Sequence, residues 1–132
     1  MVGNDLTEIA MTASSADLYA PKKTGVYSVY ADVLLSGNNL SQRWSYNADK
    51  KVINSHLYPD RAMTEGKNLN LFLYKMLNLK NQKFSVFPRD GFVKNTFTDH
   101  IGSVGPISKT GEVGKKAWNV IMANHTKGME ST

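Results

Sequence analysis

The sequence predicts an α+β fold: an antiparallel sheet of about four to six strands covered by one amphipathic helix, with a short C-terminal helix. Three observations carry this expectation. Apolar residues alternate with period two through residues 26–58, an apolar stripe at helical spacing follows, and a second alternating pair flanks a Pro-Arg-Asp-Gly turn. At 132 residues the chain is expected to form a single domain.

Residues 1–24 mix small polar and small apolar residues and end in Ala20-Pro-Lys-Lys-Thr-Gly25. They are expected to be an arm, with a short helix near Leu6–Met11. In Val26–Leu35 the alternate set Tyr27, Val29, Ala31, Val33 and Leu35 is wholly apolar, as in a half-buried strand. Ser36-Gly-Asn-Asn39 tolerates positive φ and predicts a hairpin turn. Leu40, Trp44 and Tyr46 alternate with Ser41, Arg43 and Ser45 in a second strand, and Val52–Tyr58 forms a third, completing a 26–58 meander.

Leu69, Phe72, Leu73, Met76 and Leu77 fall on one face of a helix over 64–78, with Thr64 or Asn68 as the N-cap. Lys83–Phe87 and Phe92–Phe97 flank Pro88-Arg-Asp-Gly91 and predict an 83–97 hairpin. Glycine-rich residues 98–114 suggest a loop or short irregular strand. Ala117, Val120, Ile121 and Asn124 share a face of a 115–125 helix, and 127–132 is a polar tail. No internal repeat is evident.

Composition narrows the function. Apolar residues make up 41 % of the chain and no run is long enough to span a membrane, so none is expected as a partner. There is no cysteine, which removes disulfides, thiol catalysis and thiolate metal sites. The N-terminus lacks the basic start and apolar run of a signal peptide. No carboxylate pair shares a face, no metal-ligand cluster occurs, and no cofactor is expected.

The net charge of +5 is uneven: residues 67–132 carry ten Lys/Arg against four acids, and residues 1–66 carry six against seven. A basic C-terminal half suits a polyanion-contacting surface. The candidate nucleic-acid contacts are Lys83, Arg89 and Lys94 on the hairpin, with Lys109, Lys115 and Lys116 around the last helix start. Backbone N–H groups at such a start would favour phosphate. Lysines outnumber arginines, so the expected contact is with the backbone, independent of base sequence.

Two partial likenesses follow from the spacing of residues. Asp99-His100-Ile101, then Asn119 and His125, resembles the HNH nuclease motif. That resemblance implies His100 as the base activating water, Asn119 orienting it and His125 holding a divalent metal. The order helix, two strands, irregular strand and helix from Asn68 to Lys127, with Lys115-Lys116 opening the last helix, resembles the double-stranded-RNA-binding domain. That resemblance implies groove-spanning roles for the lysine pair and a minor-groove role for Asp90-Gly91, with Lys94 just after it. It covers under half the chain, and no serine precedes the lysine pair.

The expected function is therefore non-enzymatic: a self-assembling structural protein of viral or phage coat type, homo-oligomeric, touching RNA or DNA through its basic half. Its expected location is the virion or the cytoplasm. The alternatives are a monomeric nucleic-acid-binding regulator or inhibitor, and a small metal-dependent nuclease.

Overall fold

The computed structural model describes residues 9–19, 21–35, 39–89, 92–110 and 116–123. It is almost entirely β, and its longest helical segments are 3-10 turns of three residues. The strands are β1 (Ile9–Tyr19), β2 (Lys23–Val33), β3 (Trp44–Asn47), β4 (Val52–Ser55), β5 (Arg61–Glu65), β6 (Leu71–Lys75), β7 (Phe84–Phe87), β8 (Phe92–Asn95), β9 (Ile101–Thr110) and β10 (Lys116–Ala123). All pairings are antiparallel, in the order β3-β4-β5-β6-β2-β10-β9-β8-β7 with β1 added on β2, and the sheet curls into a half-barrel. No helix of the described residues is long and apolar enough to cross a membrane.

The expected α+β fold is thus overturned. The stripe that predicts a 64–78 helix is strand, turn and strand: Thr64 and Glu65 end β5, residues 66–70 turn, and β6 follows. Leu69 at φ 65° cannot sit inside a right-handed helix. The turn is closed by Gly66 N–H donating to the Asn70 carbonyl (2.8 Å) and Leu69 N–H donating to Gly66 (3.1 Å). In β6, Leu71 and Leu73 are buried to 1 % and 0 % exposure, while Met76 and Leu77 are exposed. Leu71, off the helical stripe, marks the period of two that prevails.

The C-terminal helix is likewise a strand. Its N-terminal part pairs Lys116 with Thr110, Ala117 with Lys109 and Trp118 with Ser108, so residues 101–110 form a full strand rather than a loop. The N-terminal arm is also strand from Ile9, which replaces the second half of the expected Leu6–Met11 helix. The 26–58 meander is broken after its first strand: β2 pairs with β1, β6 and β10, not with β3. The β3–β4 and β7–β8 hairpins are as expected. The turn residues 36–38, Asp90, Gly91, Lys115, His125 and the 127–132 tail lie outside the described residues.

The strands fall into repeated units. The first unit is β1, β2, a 3-10 turn at Leu40–Gln42, and the hairpin β3–β4; the second is β5, β6, a 3-10 turn at Lys80–Gln82, and the hairpin β7–β8. The turns and hairpins recur at an offset of forty residues. The Gln42 carboxamide accepts from Leu35 N–H (2.8 Å) and donates to Thr12 Oγ1 (3.1 Å). Gln82 accepts from Leu77 N–H (3.1 Å) and donates to Thr64 Oγ1 (3.1 Å). Thr12 and Thr64 then donate to Ala10 and Ala62, two residues back. After the hairpins, Ser55 Oγ accepts from Leu57 and Tyr58 N–H, and Asn95 Oδ1 accepts from Phe97 and Thr98 N–H.

The pair β9–β10 occupies the place of a third opening pair. Lys94 faces Ile101 as Asn54 faces Ala62. The second strand of each pair meets the other two: β2 joins β6 and β10, and β10 touches β6 through the Asn70–Ile121 bridge and Met122 N–H to Leu69 carbonyl (2.6 Å). Around this junction lies one core of Ala13, Val29, Ile53, Met63, Leu73, Phe84, Val93 and Met122. At its centre β2 is buried on both faces, including Tyr30 and Asp32, which explains its near-continuous apolar run. The two ends of the strand order also meet, through Phe84 N–H to Lys51 carbonyl (2.7 Å) and Tyr46 Oη to Phe84 carbonyl (2.7 Å).

Gln82 is fully buried and serves two backbone N–H groups, one carbonyl and Thr64, whereas Gln42 is partly exposed. Gln82→Leu strands all four partners and should cost about 2–4 kcal/mol, with Gln42→Leu costing less. Leu73→Ala should cost about 2–5 kcal/mol by opening a core cavity. Urea unfolding of the three variants checks the order.

Candidate nucleic-acid interface and the His100 cluster

The fold distributes the predicted basic residues unequally. Lys83, leading into β7, donates to the Lys50 carbonyl at 3.3 Å and to Asn78 Oδ1. Lys94 on β8 pairs with Asp99 at 3.4 Å and lies 5.7 Å from the Phe87 ring centre, with its side chain only 20 % exposed. Arg89 is exposed at the β7–β8 turn. In the β9–β10 pair Lys109 stands opposite Ala117 and Lys116 opposite Thr110, so the register does not pair the two lysines, and Lys115 lies outside the described residues. Because 116–123 is strand, no helix start presents N–H groups to phosphate there.

What the structure does bring together is a different set. Phe84 N–H bonds Lys51, Lys83 reaches Lys50, and Thr96 N–H bonds the Lys83 carbonyl at 2.9 Å. Lys80 lies 5.1 Å from the centre of the Phe97 ring, which follows Thr96 and is 62 % exposed. The result is that the Lys50-Lys51 turn and the Lys80–Lys83 segment lie side by side where the two hairpins meet, with Lys80 over the exposed Phe97 ring and the Lys83 ammonium tied to the Lys50 carbonyl and Asn78. Tyr46 crosses the seam, its hydroxyl donating to the Phe84 carbonyl at 2.7 Å, and the partial burial there raises its phenol above the ordinary value. Lys50 and Lys51 belong to the half of the sequence without excess charge, so a charge count does not find them. The sequence did hold a signal: Gln42-Arg-Trp-Ser45 and Gln82-Lys-Phe-Ser85 stand forty apart, as equivalent parts of two units.

His100 is placed by a tight turn. Asn95 N–H bonds the His100 carbonyl (2.9 Å), Asp99 has φ 66°, and His100 N–H bonds Thr98 Oγ1 (3.2 Å). Its Nδ1 lies 2.6 Å from Glu65 Oε2, and Thr98 Oγ1 donates to Glu65 Oε1 at 2.8 Å. The Glu65 side chain is 4 % exposed and that of His100 22 %. Both carboxylate oxygens are thus occupied, and the pair ties the end of β5 to the turn after β8. Asn119 stands in β10 opposite Tyr30, and His125 lies outside the described residues. His56, expected on a strand face, is exposed in the turn after β4. Among the described residues no three His, Asp or Glu gather as a metal site. The strand at 116–123 removes the helix on which both the HNH and the double-stranded-RNA-binding resemblances rested.

His100→Ala leaves the buried Glu65 carboxylate short of a partner and should cost about 1–3 kcal/mol, much of it restored when Glu65→Gln is added. A double-mutant cycle by denaturant unfolding measures that coupling. Plasmid incubated with the protein and magnesium or manganese should stay intact; cutting that disappears in His100→Ala would overturn the structural role given to the pair.

No protein-family model matches the chain, and no curated protein matches it either.

Proposed function

We propose that this chain is a non-enzymatic binding protein that contacts the nucleic-acid backbone through the surface where its two hairpins meet. The observation that carries the reading is the meeting of the Lys50-Lys51 turn with the Lys80–Lys83 segment, beside an exposed Phe97 ring that Lys80 approaches to 5.1 Å. Ammonium groups neutralise phosphates without reading bases, and an exposed ring offers a base a stacking face. Two lysine-bearing segments brought to one seam, Lys50-Lys51 and Lys80–Lys83, favour the binding reading.

Self-association of the coat type is the second reading. It rests on β1, an eleven-residue strand that pairs with β2 along one edge and with no other strand among the described residues. Trp44 and Tyr58 cap the Met11 and Ser14 carbonyls of β1, and the rest of that edge would be the template for a second chain.

The reading is tested by titrating a short single-stranded oligonucleotide across a salt series. Log affinity should fall linearly with log salt, and Lys50→Glu with Lys51→Glu should flatten the slope by roughly 0.7 per lost phosphate contact. Phe97→Ala should weaken binding by about 1–3 kcal/mol if a base stacks there. Lys109→Glu, in the β9–β10 pair, should matter less. An unchanged slope in the Lys50/Lys51 variant removes the nucleic-acid reading, and a monomer at high concentration by sedimentation removes the assembly reading.

A further inference from the structure

We propose a second, separate site: a small cleft at the start of β2 that binds an oxyanion, a phosphate or a carboxylate group. The cleft has a volume of about 180 Å³ and is lined by Thr24, Gly25, Val26, Arg61, Tyr74 and Lys75. That is below the roughly 300–1,000 Å³ of drug-sized ligand pockets, so the site suits one compact ionic group.

The charge arrangement points to an anion. Arg61 on β5 and Lys75 on β6 are direct cross-strand partners. Like charges placed opposite one another in an antiparallel pair are destabilising. Asp60 pairs with Arg61 Nη1 at 3.0 Å, but its side chain is 77 % exposed, so the pair is screened by water. No carboxylate lines the cleft. Asp17, beside the cleft, is committed to its backbone, accepting from Gly25 N–H at 2.6 Å. An oxyanion between the two cations would relieve their repulsion.

The guanidinium is also held in place. Arg61 Nε donates to the Gly25 carbonyl at 2.6 Å, and Gly25 has φ 79°. A Cβ on Gly25 would stand 2.1 Å from Arg61 Nη2, so only glycine lets the guanidinium lie against this backbone. Among the described residues Nη2 makes no hydrogen bond. A fixed guanidinium with donors to spare, a lysine directly across from it and the adjacent Thr24 form a fork suited to two oxygens of one anion.

The test uses the full chain, ¹⁵N-labelled, titrated with inorganic phosphate and separately with acetate, at ionic strength held constant with chloride. Saturable shifts are expected at the amides of Thr24, Gly25, Val26 and Lys75. Lys75→Gln should weaken binding roughly tenfold, the worth of one charge-assisted hydrogen bond. That variant removes an exposed side chain and one member of a repelling pair, so its unfolding midpoint without anion should not fall. Arg61→Lys keeps the charge but loses the fork, and should weaken binding as well. Saturation with phosphate alone assigns the site to phosphate groups, and saturation with both anions assigns it to oxyanions generally. No saturable shift with either, or affinities unchanged in Lys75→Gln, would overturn the proposal. The oligonucleotide measurements involve other residues, so either site can fail without the other.

Discussion

The structure depends on a carboxamide buried behind a 3-10 turn. In each unit a glutamine at the end of the turn accepts from the strand it has just left and donates to a threonine on the strand before that. A carboxamide has both an acceptor and two donors, so one side chain can fix three segments at once. Leucine would fill the same space and fix none of them. The turn then launches the hairpin in a set direction, with Trp44 in the first unit and Phe84 in the second entering at the same step. Trp44 Nε1 donates to Met11, while Phe84 has no such donor and is buried without exposure. The frame survives this difference because the glutamine, not the aromatic, sets the geometry.

Repetition also accounts for where the chemistry diverges. Ala62 and Ile101 occupy equivalent ladder positions, so the residues before them, Arg61 and His100, are equivalent as well. Both mark the passage from one unit to the next, and both bond backward. Arg61 reaches the Gly25 carbonyl, and His100 reaches the Glu65 carboxylate. Arg61 keeps an exposed partner in Asp60 and bonds a backbone carbonyl, while His100 bonds a buried carboxylate. The first junction borders a cleft, and the second is a structural tie. Thr98 and Tyr58 show the same split: one hydroxyl completes the Glu65 pair, and the other bonds the Ser14 carbonyl.

The sheet was legible in the sequence only where strands lie next to their neighbours in the chain. Both hairpins were readable because each pairs residues across a short turn. Leu69–Leu77 was misleading because its apolar residues satisfy periods of 3.6 and two together. Burial of Leu71 beside Leu73 decided the matter, and that burial comes from β2 and β10, strands remote in sequence. Lys115–His125 failed for the same reason, since β10 takes its form from pairing with β9 and β2 rather than from local preference. The repeat itself was present in Ala10-Met-Thr12 and Ala62-Met-Thr64, and in the paired Gln-x-aromatic-Ser segments. Short matches at unequal offsets are hard to see until the strands show which positions correspond.

Charge was legible as a sum and not as a surface. Dividing the chain at its midpoint assigned the basic character to residues 67–132, yet hairpins from both halves meet at Phe84 and Lys51. A fold of repeated units mixes the halves by construction, because each unit packs against the others around the junction of β2, β6 and β10. Lys109 and Lys116 stay within the β9–β10 pair, while Lys83 reaches the Lys50 carbonyl across 33 positions. The same mixing sets Arg61 and Lys75 against Gly25. In a protein built this way, which residues share a surface is decided at the seams between units, and they are found by asking which segments the repeat brings side by side.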